Sequence, residues 1–298
     1  MLKDCLSIGF YEKKDKFVNT DNLNNMKKVS ILPIAALIAL SGCNNSTPPK
    51  VTTYQVNGFF FKMIDVNGGK FKMGAQATDP EKDNFDTLAY DYEGPVHKVV
   101  LGDFSMGETE VTQGLWKAVM KDSSHFNSEN GLGDNMPVYF ISFNEVLQFI
   151  SALNDSLHAS KQLTEDKNVS LPTEAQWEYA ARGGNLGNNY KHSGSDDVEE
   201  VGWYDENSDD KLHAVMLKKP NELGIYDLSG NVWEWCSDFK GDYPTCKQKD
   251  PTGPEKGSLH VLRGGGYGYN LHGCRNTCRG YNVANYKDRN LGFRIVIK

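Results

Sequence analysis

Asn221-Glu222-Leu223-Gly224-Ile225-Tyr226-Asp227-Leu228-Ser229-Gly230-Asn231-Val232-Trp233-Glu234-Trp235 is the stretch whose reading decides the fold. Asp227 and Glu234 are carboxylates seven positions apart, and Gly230 and Asn231 between them suit a sharp backbone reversal. Such a turn can aim carbonyl oxygens inward beside the two acids. Calcium wants that chemistry, taking about 6–8 hard oxygen ligands. The same acids would also serve a solvated turn by capping its amides. Trp233 and Trp235 read as core, because large aromatics dominate burial.

Outward from this stretch the chain is short on long periodic elements and rich in glycine, aromatics and turn signals, which points to irregular α+β structure. Phe59 to Ile64 and Lys70 to Met73 flank Asn67-Gly68-Gly69 and read as a hairpin. Val96 to Leu101 reads as a further strand, leading to Phe104-Ser105-Met106-Gly107. Thr112 is placed to cap a short helix through Leu115, Trp116 and Val119. Ser142 with Glu145, and Thr173 with Gln176, make capping boxes ahead of two further helices. The first carries Val146, Phe149, Ile150 and Leu153 on one face, and the second stops at Arg182-Gly183-Gly184. Phe293 to Ile297 reads as the last strand.

The N-terminal part has a different character. Met26, Lys27 and Lys28 precede a mostly apolar run from Val29 to Leu40, closed by Leu40-Ser41-Gly42-Cys43. This resembles a bacterial lipoprotein signal. The resemblance implies cleavage before Cys43, diacylglycerol on its thiol and acylation of its new amino end. The apolar run is shorter than the ~20 residues that span a bilayer. The reading is therefore a start at Met26 with residues 1–25 upstream of it, a lipoprotein signal over 26–42, lipid attachment and tether over 43–53, and one folded domain over 54–298. The expected place is the cell envelope, with the membrane as one partner through the lipid. The 298-residue chain has a formal net charge of -7 and no basic stripe, so nucleic-acid binding is set aside.

Beyond Cys5 and Cys43, four cysteines remain: Cys236, Cys246, Cys274 and Cys278. Export permits disulfides, and four cysteines allow three pairings, among which the sequence does not choose. Buried free thiols are the other reading. No Cys-x-x-Cys is present, which argues against a zinc site.

Three blocks make a family recognisable: Leu171-Pro172-Thr173-Glu174-Ala175-Gln176-Trp177-Glu178-Tyr179-Ala180-Ala181-Arg182-Gly183-Gly184, the opening stretch, and Arg263-Gly264-Gly265 through Cys274-Arg275 and Arg279 to Asn290-Leu291-Gly292-Phe293-Arg294. Together with Met73-Gly74, Glu110-Val111-Thr112 and Pro137-Val138, they resemble the formylglycine-generating enzyme (sulfatase-modifying factor) family. The resemblance implies one compact domain related to C-type lectin-like folds, with low regular secondary structure. It also implies a calcium site at Asp227, Gly230, Val232 and Glu234, the second and third through backbone oxygen. A second family calcium loop is shortened here around Asn207 to Asp210. That loop is no EF-hand: counting from Asp205, the sixth residue is Asp210 where glycine is required, and the twelfth is Met216 rather than Glu.

The family's oxidases use two cysteines spaced Cys-x-x-x-x-Cys after the Gly-Gly pair, binding copper(I) to oxidise a substrate cysteine. Thiolates suit copper(I) because both are soft. Counting from Gly264-Gly265, Cys274 falls at the second position and Tyr269 at the first. One soft ligand does not reproduce that site, so Cys274 reads as a packed or disulfide-bonded residue and copper is not expected. Arg275, Arg279 and Arg294 resemble framework arginines that pair with buried acids. The resulting expectation is an envelope lipoprotein whose calcium-stabilised domain is a non-catalytic binding or assembly module for a protein or peptide partner. The alternative is a sulfatase-modifying oxidoreductase making formylglycine, or another activity in the same groove.

Overall fold

The computed structural model describes residues 48–298. The expected start at Met26, the signal and the lipid attachment at Cys43 lie outside the described residues. Strands β1 (Val51–Val56), β2 (Phe59–Val66), β3 (Gly69–Met73), β4 (His97–Leu101) and β5 (Phe104–Gly107) come first, followed by helices α1 (Gln113–Met120) and α2 (Phe143–Ala159). After them come β6 (Val169–Ser170), α3 (Glu174–Ala181), α4 (Val198–Val201), β7 (Trp233–Phe239) and β8 (Gln248–Lys249). The chain closes with β9 (His260–Arg263), β10 (Gly280–Asn282), β11 (Leu291–Gly292) and β12 (Val296–Ile297). This is α+β structure with little regular content. No described helix is long and apolar enough to cross a membrane.

Three small sheets carry the chain, in the orders β1-β2-β5-β12-β6, β10-β9-β7-β11 and β3-β4-β8. In the first, Val51 pairs with Ile64, Ile64 with Met106, and Met106 with Val296, so one row of residues crosses four strands. The expected hairpin between Phe59–Ile64 and Lys70–Met73 is not formed. Its first strand pairs instead with β1, across Asn57 (φ +48°) and Gly58 (φ +87°), the two left-handed residues that a tight hairpin turn needs. Gly68 donates its N–H to Asp103 Oδ1 at 2.7 Å, and the chain passes into another sheet where β3 pairs with β4. The expected tether, 43–53, overlaps β1 from Val51 onward for the same reason.

The helices follow their local signals. Thr112 accepts the Leu115 N–H, and both capping boxes close as expected. α2 buries Phe143, Val146, Phe149, Ile150, Leu153 and Leu157. Its Phe149 stacks on Trp116 of α1 at 5.2 Å, a contact contributing roughly 0.5–1.5 kcal/mol beyond area burial. α3 has no solvent face, being buried along its whole length, and Gly183 (φ +81°) stops it in the left-handed conformation. Trp177, Trp233 and Trp235 are core, as expected. At the C-terminal end the expected strand is shorter: only Val296–Ile297 joins the first sheet, while Phe293 and Ile295 lend carbonyls to Val111 and Gly107.

Buried arginines tie the layers together. Arg263 pairs with Glu178, Arg275 with Glu93 at 2.5 Å, Arg279 with Glu174 at 2.6 Å and Arg294 with Glu234 at 2.7 Å. Each pair joins segments far apart in sequence. Removing one partner leaves a buried charge uncompensated, a loss of about 3–5 kcal/mol. The framework role expected of Arg275, Arg279 and Arg294 is the one they occupy.

Candidate functional site: an acidic turn and a sealed thiol

The acidic turn is built by unusual backbone. Asp227 (φ +60°), Gly230 (φ +94°) and Asn231 (φ +62°) are all left-handed, within five positions. A Cβ on Gly230 would lie 2.1 Å from the Trp203 carbonyl oxygen, so only glycine fits there. Asp227 accepts the Met216 N–H at 2.9 Å through Oδ2, while its buried Oδ1 has no partner. Glu234 is fully buried and held by three donors at 2.7 Å: Arg294 Nε, Arg294 Nη2 and Trp177 Nε1.

A third acid, which the sequence did not single out as a site residue, joins these two. Glu110 precedes α1 and accepts Asn231 Nδ2 at 2.9 Å and the Val232 N–H at 3.2 Å. Burial, then the negative charges of Asp227 and Glu234, push its carboxyl well above the usual range. Burial likewise raises Asp227, to about 6, with the Met216 N–H and Arg294 opposing the rise. Three buried carboxylates thus share one guanidinium. Excess negative charge in a dry site makes carboxyls hold protons or take a cation.

The residues fit the calcium that the family resemblance implies, on the evidence of the orphaned Asp227 Oδ1. An unsatisfied buried acceptor costs about 1–3 kcal/mol, which a hard cation would relieve. Among the described residues no three His, Cys, Asp or Glu side chains are grouped to hold a metal alone. Backbone oxygens, for which the resemblance names Gly230 and Val232, would have to supply much of the coordination. Glu234 brings charge, but its oxygens already receive Arg294 and Trp177.

The thiol expected at the oxidase position is sealed. Cys274 ends a short 3-10 turn, Leu271–Cys274, and is fully buried against Val198 and Tyr204. A Cβ on Gly265 (φ +77°) would come 2.9 Å from its Sγ, so the second glycine of the pair packs onto the sulfur. Burial, with the neighbouring Cys278, raises the thiol strongly. The thiolate is the form that ligates metal or attacks, and burial disfavours it here. Tyr269 stands edge-on to Trp233 at 5.7 Å, and burial raises its phenol too. Cys236, Cys246, Cys274 and Cys278 are all free, in keeping with the packed reading of Cys274.

A third feature lies apart from both. Asp238, Glu174, Arg279 and Tyr243 line a cleft of about 480 Å³ between the end of β7, the start of α3 and the loop 240–254. No sequence signal marked it, because its walls come from five separate segments.

Against known proteins, residues 51–298 match the family described as Sulfatase-modifying factor enzyme 1-like domain. The chain is 28% identical over 312 aligned residues to "Chaperone protein LppX" of Paenibacillus barcinonensis, covering 91% of this chain and 98% of that one. It is 28% identical over 298 aligned residues to the formylglycine-generating enzyme of Streptomyces coelicolor, covering 78% of this chain and 87% of that enzyme. Among solved structures, Treponema denticola variable protein 1 superposes with a TM-score of 0.71 at 31% identity, covering 83% of this chain and 99% of that one.

Proposed function

This chain belongs to the sulfatase-modifying factor enzyme 1-like family, and from that premise we propose that it is a lipid-anchored envelope protein whose domain binds or assembles a protein or peptide partner without catalysing a reaction. The observation that carries the non-catalytic part is the burial of Cys274, with Tyr269 rather than a second cysteine at the other counted position. A phenol is a hard, protonated ligand at neutral pH and does not replace a thiolate on copper(I). The relative that covers almost all of this chain bears the name of a chaperone, which is in keeping with a holding role. Anchoring follows from acylation at Cys43, since several chains bind a membrane stably where one is marginal. Calcium is the structural part of the proposal: Asp227, Glu234 and the carbonyls of Gly230 and Val232 would hold it. When bound it supplies positive charge that Arg294 alone does not. Glu110 holds the turn through Asn231 and the Val232 N–H, keeping those carbonyls in place.

The test is a copper(I) titration of the reduced protein, followed by incubation with a sulfatase-type cysteine peptide under oxygen. Weak copper binding and an unchanged peptide mass are expected. Conversion of the peptide thiol to an aldehyde, abolished by Cys274→Ser, would move the assignment to the oxidase.

A further inference from the structure

The cleft beside Asp238 is chemically unlike the acidic turn. Asp238 sits near the end of β7 and is 4% exposed. Its Oδ2 accepts the Glu174 N–H at 3.0 Å and the Ser237 hydroxyl at 3.0 Å, and among the described residues no donor reaches Oδ1. Among the described residues no arginine or lysine is ion-paired with it. Gly253 (φ +71°) passes over this carboxylate so closely that a Cβ there would come 3.3 Å from Oδ1 and 2.9 Å from Asp238 Cβ.

The nearest cation is largely engaged elsewhere. Arg279 gives Nε and Nη2 to Glu174, Nη1 to the Tyr92 carbonyl and a further Nη2 bond to Gly241. Its guanidinium also lies over the Tyr243 ring at 3.9 Å. Four of the five Arg279 N–H groups are thus engaged inside the protein. Lys249 sits on the exposed rim, together with Asp242 and Asp250. Pro244, Pro251, Pro254, Phe239, Met73 and the Tyr243 ring give the walls apolar surface for an alkyl chain, beside the polar side chains of His97, Gln248 and Thr252.

We propose that this cleft binds a primary alkylammonium group, with Asp238 as its counter-ion and the prolines and Tyr243 around the alkyl chain. The number of free acceptor atoms selects the head group. A guanidinium wants both oxygens of a carboxylate in a fork, and Oδ2 already receives two donors. A divalent metal wants about six or more oxygens, and a half-apolar cleft does not offer them. One free oxygen suits a compact point charge. The volume lies within the roughly 300–1,000 Å³ of small-ligand sites.

Titration supports the same assignment. Burial, then the charge of Glu174, raises the Asp238 carboxyl to about 7, opposed by the Glu174 N–H, the Ser237 hydroxyl and Arg279. The other ionisable groups facing the cleft are His97 on β4, Tyr243, and the rim residues Asp242, Lys249 and Asp250. An ammonium ligand needs Asp238 charged, so affinity rises with pH through that range and levels off above it.

The site stands apart from the copper position and the acidic turn, so it survives or fails independently of the proposed function. Calorimetry on the purified protein at pH 8 would use Nα-acetyl-lysine amide, cadaverine and, as neutral isostere, Nα-acetyl-norleucine amide. Both amines should bind saturably, with affinity falling roughly tenfold between pH 8 and pH 6. Asp238→Asn should weaken them by roughly tenfold or more, and the norleucine compound should not bind. Tighter binding of the lysine amide identifies a partner's lysine side chain as the source, and tighter binding of cadaverine a free diamine. Absence of saturable amine binding at pH 8, equal binding of the norleucine compound, or pH-independent affinity in the unsubstituted protein would each overturn the assignment.

Discussion

Replacing Asp227 by Asn should stabilise the protein in chelator and weaken its response to calcium. The carboxyl titrates near 6 in the folded state against 3.8 for the free group. Between roughly pH 4 and pH 6 the folded protein therefore holds a proton that the unfolded chain has released. Stability falls as pH rises across that window, and the loss is complete above it. A gap of about two pH units corresponds to about 3 kcal/mol at 1.36 kcal/mol each. Asparagine keeps an oxygen for the Met216 N–H and removes the charge that shares Arg294 with Glu110 and Glu234. At pH 8 in chelator, Asp227→Asn should recover about 2–3 kcal/mol, raising Tm by roughly 4–12 °C for a domain of this size. At pH 4 the two proteins should melt together. Calcium at 100 times its Kd would add about 2.7 kcal/mol to the unsubstituted protein, and less to the variant, which has one charge fewer to offer. Thermal and urea unfolding at both pH values, with chelator and with calcium, would measure all four quantities. If Asp227→Asn is no more stable than the unsubstituted protein at pH 8 in chelator, the account of an overcharged turn is wrong.

Other outcomes follow from the same features. Gly230→Ala should cost at least ~2 kcal/mol, since it adds left-handed strain to a collision with the Trp203 carbonyl, and denaturant unfolding would show it. Iodoacetamide at pH 8 should label Cys246 and spare Cys236, Cys274 and Cys278, which peptide mass spectrometry reads directly; a rapid adduct on Cys274 would contradict its burial. Membrane fractionation should find Cys43→Ser released from the membrane, and full retention of that variant would refute lipid anchoring.

What the sequence made legible was what is encoded locally. Ser142 with Glu145 and Thr173 with Gln176 announce their helices because a capping box spans four residues. The hairpin was misplaced because Asn67-Gly68-Gly69 carries the same turn chemistry as Asn57-Gly58. Choosing between them depends on which strand lies beside β2. Asp227 and Glu234 were singled out by their spacing around a glycine turn, a turn the structure forms. Glu110 was not singled out beside them, for it meets Asn231 across 121 positions. Asp238 was missed for a similar reason: its environment is assembled from α3, β4 and a loop that no local pattern connects. The burial of Cys274 rests on Gly265, whose missing side chain lets the backbone close over the sulfur.

The row running Val51, Ile64, Met106, Val296 fixes where the two ends of the domain emerge. Alternation of strand direction puts the beginning of β1 and the finish of β12 at the same end of the sheet. They are three strand spacings apart, about 14 Å, a gap that a linker of about five extended residues would bridge. The domain is therefore suited to circular permutation, with new termini opened in an exposed loop such as 254–258. It also follows that an affinity handle or reporter fused after Lys298 would stand next to the point where the chain enters β1. Hardware meant to face away from that point belongs in an internal loop instead.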